Sequence, residues 1–269
     1  MSFIEAVIFG IIQGITEFLP VSSTAHIIIT ELFFGYDFPG LGFEIYLHLA
    51  SILAVIIYFY KEIINILNGF SGYLFSKKTD KNKIEFFFGL YLILATIITG
   101  VLGLTLESLV TDIMKTPVFI GAALLVTGFF LIFIERFQNY GHRDESQMTI
   151  KDSIIVGLGQ TLAVLPGISR SGATLITGLW AGLKRETAVR YSFLLLIPIV
   201  LGSSVLSYKD FISGHFTGLG TGALLVSFLT SFVFSLIGII WLIDILKRKK
   251  LIYLAGYCFL LGTILITIG

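Results

Sequence analysis

The sequence predicts an all-α polytopic membrane protein with an inverted-topology repeat, each half one re-entrant helical hairpin plus three transmembrane helices. Three observations lead there. The chain is 56% hydrophobic and only 13% charged, with a mean hydropathy of +0.96. Its basic residues gather in alternate loops. Two of its apolar regions, 3–29 and 153–182, are interrupted by Gly, Pro and polar side chains.

A soluble domain carries about 25% charged residues, and this chain has too few to cover such a surface. Six stretches are instead apolar and long enough to cross about 30 Å of hydrocarbon as helix: 43–60, 85–104, 117–134, 189–207, 221–243 and 251–268. One membrane domain over 1–269 accounts for the whole length, with repeat 1 over about 1–140 and repeat 2 over about 150–269. Residues 1–12 carry neither a basic n-region nor a small-residue cleavage site, so no signal peptide is expected. The single cysteine, Cys258, lies in an apolar run and implies no disulfide. A net charge of +1 argues against a general polyanion-binding surface, so no nucleic-acid partner is expected.

The loops sort by their cations. Loop 61–84 carries Lys61, Lys77, Lys78, Lys81 and Lys83, and loop 135–152 carries Arg136, Arg143 and Lys151. Stretch 183–190 has Lys184, Arg185 and Arg190, and loop 244–250 has Lys247, Arg248, Lys249 and Lys250. By contrast 30–42 has none, 105–116 only Lys115 and 208–220 only Lys209. The positive-inside rule places the first group in the cytoplasm and the second outside. Segment 153–182 then joins two cytoplasmic stretches and must dip in and return. Region 3–29 reads the same way from the outer side. A hairpin plus three spans per half inverts the second half relative to the first.

A trace of the repeat survives in sequence. "GIIQGITEFLPVSS" and "GLGQTLAVLPGISRS" share Gly10/Gly157 and Gln13/Gln160, then Leu19-Pro20/Leu165-Pro166 after one residue of slippage.

Polar groups at membrane depth are tolerated only inside protein or against a wet cavity, and ionisable ones there are functional by default. The first hairpin offers Gln13 and Glu17 one turn apart, the helix-breaking Pro20, then Ser22, Ser23, Thr24 and His26. The second offers Pro166 and Gly167, then Ser169, Arg170, Ser171 and Thr174. A helix restarting there would aim its free N–H groups where Arg170 and the hydroxyls point, which makes an anion site suited to phosphate. Glu17 adds a carboxylate for a hard divalent cation or for general base work. Plainer readings stand beside these: hydroxyls bonded back to their own helix, Glu17 as structural partner of Arg170, and His26 satisfying a carbonyl. His48, on an otherwise apolar helix, reads as a satisfied packing residue, and Glu44 as a cap or interfacial charge.

"QGITEFLPVSSTAH" together with "LPGISRSGAT" resembles the bacitracin-resistance family of undecaprenyl-diphosphatases, integral membrane enzymes. "FEIYLHLASILAVIIYFY" and "RYSFLLLIPIVLG" extend the resemblance over most of the chain. It implies hydrolysis of undecaprenyl (polyprenyl) diphosphate to the monophosphate, assisted by a divalent cation, Mg2+ or Ca2+, on the outer side of the cell membrane. The implied catalytic residues are Glu17, Ser23, His26 and Arg170. Ser169, Arg170, Ser171 and Thr174 are the implied diphosphate-binding set, and Glu17 with Gln13 the implied metal ligands. Three departures from the family pattern are visible: Gln13 is the amide variant, Ala25 replaces a glycine, and His48 stands where glutamine is expected.

Three attacking groups fit this pattern: Ser23 with His26 as base, His26 itself, or a metal-bound water. A transporter or flippase of polyprenyl phosphate or another anion shares the architecture, because broken helices in inverted repeats also build transporters. The cluster of nucleophile, base and acid beside an anion site separates the two, since transport does not need it. A structural membrane subunit would explain neither hairpin.

Overall fold

The computed structural model describes residues 1–36, 38, 42–76, 78–107, 112–137, 141–206, 219–248 and 250–269. Helices α1 (Phe3–Phe18) and α2 (Ser23–Phe34) form the first hairpin. They are followed by α3 (Gly42–Tyr58), α4 (Tyr60–Phe75), α5 (Asp80–Glu107) and α6 (Pro117–Phe137). The second hairpin is α7 (Ile150–Leu162) and α8 (Arg170–Trp180), followed by α9 (Arg185–Leu206), α10 (Thr221–Lys247) and α11 (Leu251–Ile268). Among the described residues there is no β-strand, only an isolated bridge between Arg143 and Leu183.

Local chemistry sets the helix ends. Ser2 Oγ accepts from the Glu5 amide at 3.3 Å while the Ser2 amide donates to the Glu5 carboxylate at 2.6 Å, a capping box that starts α1. The Thr149 amide donates to Asp152 at 2.7 Å at the start of α7, and Ser169 caps α8 by accepting from the Gly172 amide at 3.1 Å. Pro20 and Pro166 fall in the two breaks, where a missing amide and a ring clash stop a helix. The hairpin helices are 16, 12, 13 and 11 residues long, each short of the roughly 20 needed to cross hydrocarbon.

Among the described residues five helices are long and apolar enough to span: Asp80–Leu106, Pro117–Arg136, Arg185–Leu206, Thr221–Lys247 and Leu251–Ile268. A sixth is counted when α3 and α4, bent by 75° at their junction, are taken together. That bend corrects one expectation: most of 61–84 is not a loop but α4, packed along α5. Segment 135–152 likewise contains a 3-10 turn at Glu145–Gln147, and 208–220 lies outside the described residues apart from Leu219 and Gly220.

Polarity is distributed inside out. Ile97, Val101, Phe129, Leu229 and Leu260 are exposed, whereas Gln13, Glu17, Ser227, Ser231 and Ser235 are buried. Apolar surface turned outward suits a lipid solvent, and the protein is a multi-pass membrane protein.

Small residues bring the site-bearing helices together. α1 lies along α10, and a Cβ on Gly10 or Gly14 would come within 2.6 Å of the Ser227 or Ser231 carbonyl oxygen. α10 in turn holds α3 through Ser231 Oγ to the Leu47 carbonyl at 3.2 Å and Ser235 Oγ to Ser51 Oγ at 2.9 Å. Such interhelical bonds average about 0.6 kcal/mol, so close backbone approach contributes more than they do. In the other half α7 lies along α5, where Thr99 Oγ1 donates to the Gly157 carbonyl at 3.1 Å. α6 packs on α11 and α3 on α9. Exchanging the two halves maps these pairings onto one another, with α4 as an addition to the first half. Gly167, at φ +94°, lets the second break press against α6, where a Cβ would meet Ala123 Cβ at 2.7 Å.

Gly14→Leu is expected to force α1 off α10 and to lower both the yield of folded protein and its Tm in detergent, with Gly14→Ala intermediate. Equal melting of wild type and Gly14→Leu would mean that the α1–α10 contact does not set the fold.

Candidate active site

The two breaks face one another. α1 ends at Phe18 and carries Gln13 and Glu17 on its buried face, where Gln13 is fully buried and Glu17 is 3% exposed. α8 begins at Arg170, capped by Ser169, so its first free amides open toward the same place. The Arg170 guanidinium pairs with Glu17 Oε1 across the gap, and Ser171 Oγ reaches the Leu19 carbonyl oxygen at 3.4 Å.

Glu17 is the hub of this arrangement. Its Oε2 accepts from Ser23 Oγ at 2.8 Å and Gln13 Nε2 at 3.0 Å, and lies 2.9 Å from His48 Nε2. The contact between Glu17 and Gln13 realises the one-turn spacing on α1. The contact with Ser23 differs from expectation: Ser23 is bonded to Glu17, not to His26. His26 instead has Nδ1 2.7 Å from the Ser22 carbonyl oxygen and Nε2 2.6 Å from the Tyr257 hydroxyl, with the two rings stacked. A carbonyl only accepts, so Nδ1 carries the hydrogen and the Nε2 lone pair accepts from Tyr257.

The first break is strained. Ser22 has φ +67°, the only non-glycine residue with positive φ among those described. Such backbone costs of order 1–3 kcal/mol and clusters at functional sites. Here it places the Ser22 carbonyl under the His26 ring while Ser22 Oγ caps α2 by accepting from the Ala25 amide at 3.4 Å.

Of the hydroxyls assigned to diphosphate, Ser169 and Ser171 lie 3.2 Å apart at the mouth of α8. Thr174 is turned inward: its hydroxyl donates back to the Arg170 carbonyl at 3.0 Å and meets Ser192 of α9. Two residues read from sequence as peripheral belong to this region. His48 is a partner of Glu17 rather than a packing residue, and Glu44 accepts a hydrogen bond from Thr24. Tyr257, on α11, had no sequence signal, because a tyrosine in an apolar span is indistinguishable from an interfacial anchor.

Gln13 Oε1 is buried with no hydrogen-bond partner beside Glu17, an arrangement of two hard oxygens. No three His, Cys, Asp or Glu side chains among the described residues converge as a metal cage. Few protein ligands suit Mg2+, which draws the rest from water and phosphate. A separate cavity of about 310 Å³, lined among others by Glu62, Glu145, Arg185, Glu186 and Arg190, is lined by none of Gln13, Glu17, Ser23, His26, His48 and Arg170. There Arg190 is paired with Glu85 at 2.7 Å and Glu145 at 3.7 Å.

The family described as bacitracin resistance protein BacA matches residues 6–264, nearly the whole chain. The chain belongs to this family. Undecaprenyl-diphosphatase 2 of Halalkalibacterium halodurans is 63% identical over 263 residues, covering 97% of this chain and 94% of the relative. Undecaprenyl-diphosphatase 1 of Shouchella clausii is 54% identical over 263 residues, with 97% and 95% covered. Undecaprenyl-diphosphatase 1 of Halalkalibacterium halodurans is 36% identical over 266 residues, with 98% and 96% covered. The BacA family match spans both hairpins, so the facing breaks belong to the shared part of the chain.

Removing one partner of a buried pair costs about 3–5 kcal/mol, because the other charge is left uncompensated. Glu17→Gln and Arg170→Gln should each lower the Tm in detergent, and the double variant should melt above at least one of them. Strictly additive losses would show that the two groups are not coupled.

Proposed function

We infer that the protein hydrolyses undecaprenyl diphosphate to undecaprenyl phosphate and inorganic phosphate, recycling the lipid carrier of envelope glycan synthesis and conferring bacitracin resistance. The reading is carried by the meeting of Glu17, Ser23 and Arg170 across two helix breaks, in a chain 63% identical to a protein named for this activity. Transport of an anion would need Arg170 and the α8 N-terminus but gives no use to a serine hydroxyl bonded to a carboxylate.

In this reading the prenyl chain stays in lipid and the diphosphate enters between the breaks. Arg170 turns from Glu17 to grip the phosphate oxygens with its fork, assisted by the amides opening α8 and by Ser169 and Ser171. Thr174 keeps the first turn of α8 in register. Ser23 Oγ attacks the terminal phosphorus and its proton passes to Glu17 Oε2. The bond between phosphorus and the bridging oxygen breaks, and the lipid monophosphate leaves. Water then cleaves the phosphoserine, giving inorganic phosphate and restoring the serine hydroxyl. A divalent cation, Mg2+ or Ca2+, would be held by Gln13 Oε1 and Glu17 and would neutralise charge on the diphosphate.

A second reading rests on His26. With Nδ1–H anchored on the Ser22 carbonyl, its Nε2 lone pair can attack phosphorus once the Tyr257 hydroxyl has moved off it, and a phosphohistidine would replace the phosphoserine. The two are separable, because phosphoserine survives acid and phosphohistidine does not.

The deciding experiment measures phosphate release from a polyprenyl diphosphate by purified protein. Arg170→Lys is expected to lose about 10²–10³-fold in rate, since an ammonium keeps the charge but not the two-oxygen grip. Near-normal turnover of that variant would make Arg170 a purely structural partner of Glu17, and an inactive wild type would favour the transporter.

The inverted repeat also belongs to this proposal, with segments 61–84, 135–152 and 244–250 in the cytoplasm and the first hairpin reached from the outer side of the cell membrane. The exchange of pairings between α1–α10 and α7–α5 supports it. In a Cys258→Ala background, Asp80→Cys should react with impermeant thiol reagents only after the membrane is opened. Labelling of position 80 in sealed cells would overturn the topology.

A further inference from the structure

We propose that His48 is a positioning residue for Glu17, holding the carboxylate in place at the stage when Arg170 leaves it for the diphosphate. This rests on the phosphatase reading above. α3 presents Glu44 and His48 one turn apart toward the first hairpin. His48 Nδ1 lies 2.7 Å from the Glu44 carbonyl oxygen, which can only accept, so this nitrogen donates and fixes the ring. Nε2, 2.9 Å from Glu17 Oε2, can donate to the carboxylate only when it too carries a hydrogen, so the contact is that of an imidazolium with a carboxylate. The Glu44 side chain accepts from Thr24 in the first turn of α2. One turn of α3 therefore touches both arms of the hairpin, α1 through His48 and Glu17, and α2 through Glu44 and Thr24.

The other contacts of Glu17 cannot do this work during the reaction. Arg170 must turn its fork to phosphate. Ser23 is the attacking group, and its hydrogen bond disappears once its oxygen is joined to phosphorus. Gln13 sits one turn earlier on the same helix, so it moves with Glu17 and cannot fix it relative to α2. His48 comes from a different element, takes no part in bond making, and stands on a helix anchored from behind at Leu47 and Ser51 by the serines of α10. It is the contact that survives when the others are exchanged.

The test compares wild type, His48→Leu, His48→Gln and His48→Asn, purified in detergent and normalised to folded protein, across a range of polyprenyl diphosphate concentrations. Loss of a residue that orients a reacting group typically costs about 10–100-fold in activity. His48→Leu is expected to lose that much in kcat with KM little changed, as befits a contact needed in the transition state. His48→Gln should recover most of the loss, since its amide can donate to Glu17 from the same helix position, whereas the shorter His48→Asn should not. Wild-type kcat in His48→Leu, a loss confined to KM, or equal turnover of the Gln and Asn variants would overturn the proposal. Where His48→Leu fails to fold, the comparison of Gln with Asn decides alone. An inactive wild type in the same assay would instead remove the phosphatase reading, so the two failures are distinguishable.

Discussion

Glu17 and Arg170 stand 153 positions apart in sequence and pair in the interior of a membrane protein. Neither is tolerable there alone, because an uncompensated buried charge costs several kcal/mol. Their pairing requires the end of α1 to meet the start of α8, and both helices stop at a break where they meet. The breaks at 19–22 and 163–169 are thus not defects in two helices but the geometry that lets one carboxylate reach one guanidinium.

Close packing makes that meeting possible. Hydrocarbon gives no hydrophobic drive for helices to associate, so the approach of backbones has to supply it. Gly10 and Gly14 let α1 sink onto the serine-lined face of α10, and the next serines along α10 fasten α3. Glu17 and His48 are carried on two helices held by one common neighbour. Their relative position is fixed by structure that touches neither side chain.

The chemistry follows from what each group can still do once its contacts are counted. Glu17 accepts from several donors, so it is a firmly held anion. In the mechanism we propose, the diphosphate draws Arg170 away and leaves the carboxylate more able to take the Ser23 proton. His26 keeps one nitrogen committed to the Ser22 carbonyl and offers the other to Tyr257, so it serves a different part of the site from Ser23. Ser23 and His26 lie one turn apart on α2, yet Ser23 Oγ bonds to Glu17 of α1 and His26 to the Ser22 carbonyl and Tyr257 of α11.

The sequence by itself determined the membrane class, the broken helices at Pro20 and Pro166, the one-turn spacing of Gln13 and Glu17, and the expectation that the charges of the two hairpins share one site. Each follows from a local rule: helix periodicity, proline chemistry, or the intolerance of hydrocarbon for lone charges. The tertiary structure decided which groups touch. Spacing put Ser23 and His26 one turn apart, but the packing of α2 between α1 and α11 gave Ser23 to Glu17 and His26 to Tyr257, 231 residues away. His48 read as packing because its helix is otherwise apolar, and only the docking of α3 beside α1 shows its nitrogen at the carboxylate. α4 reads as a loop in sequence because Lys61, Glu62, Asn65 and Asn68 dilute its apolar residues, and it is a helix packed along α5. Contacts between distant segments depend on crossing positions and rotamers, which no local pattern encodes.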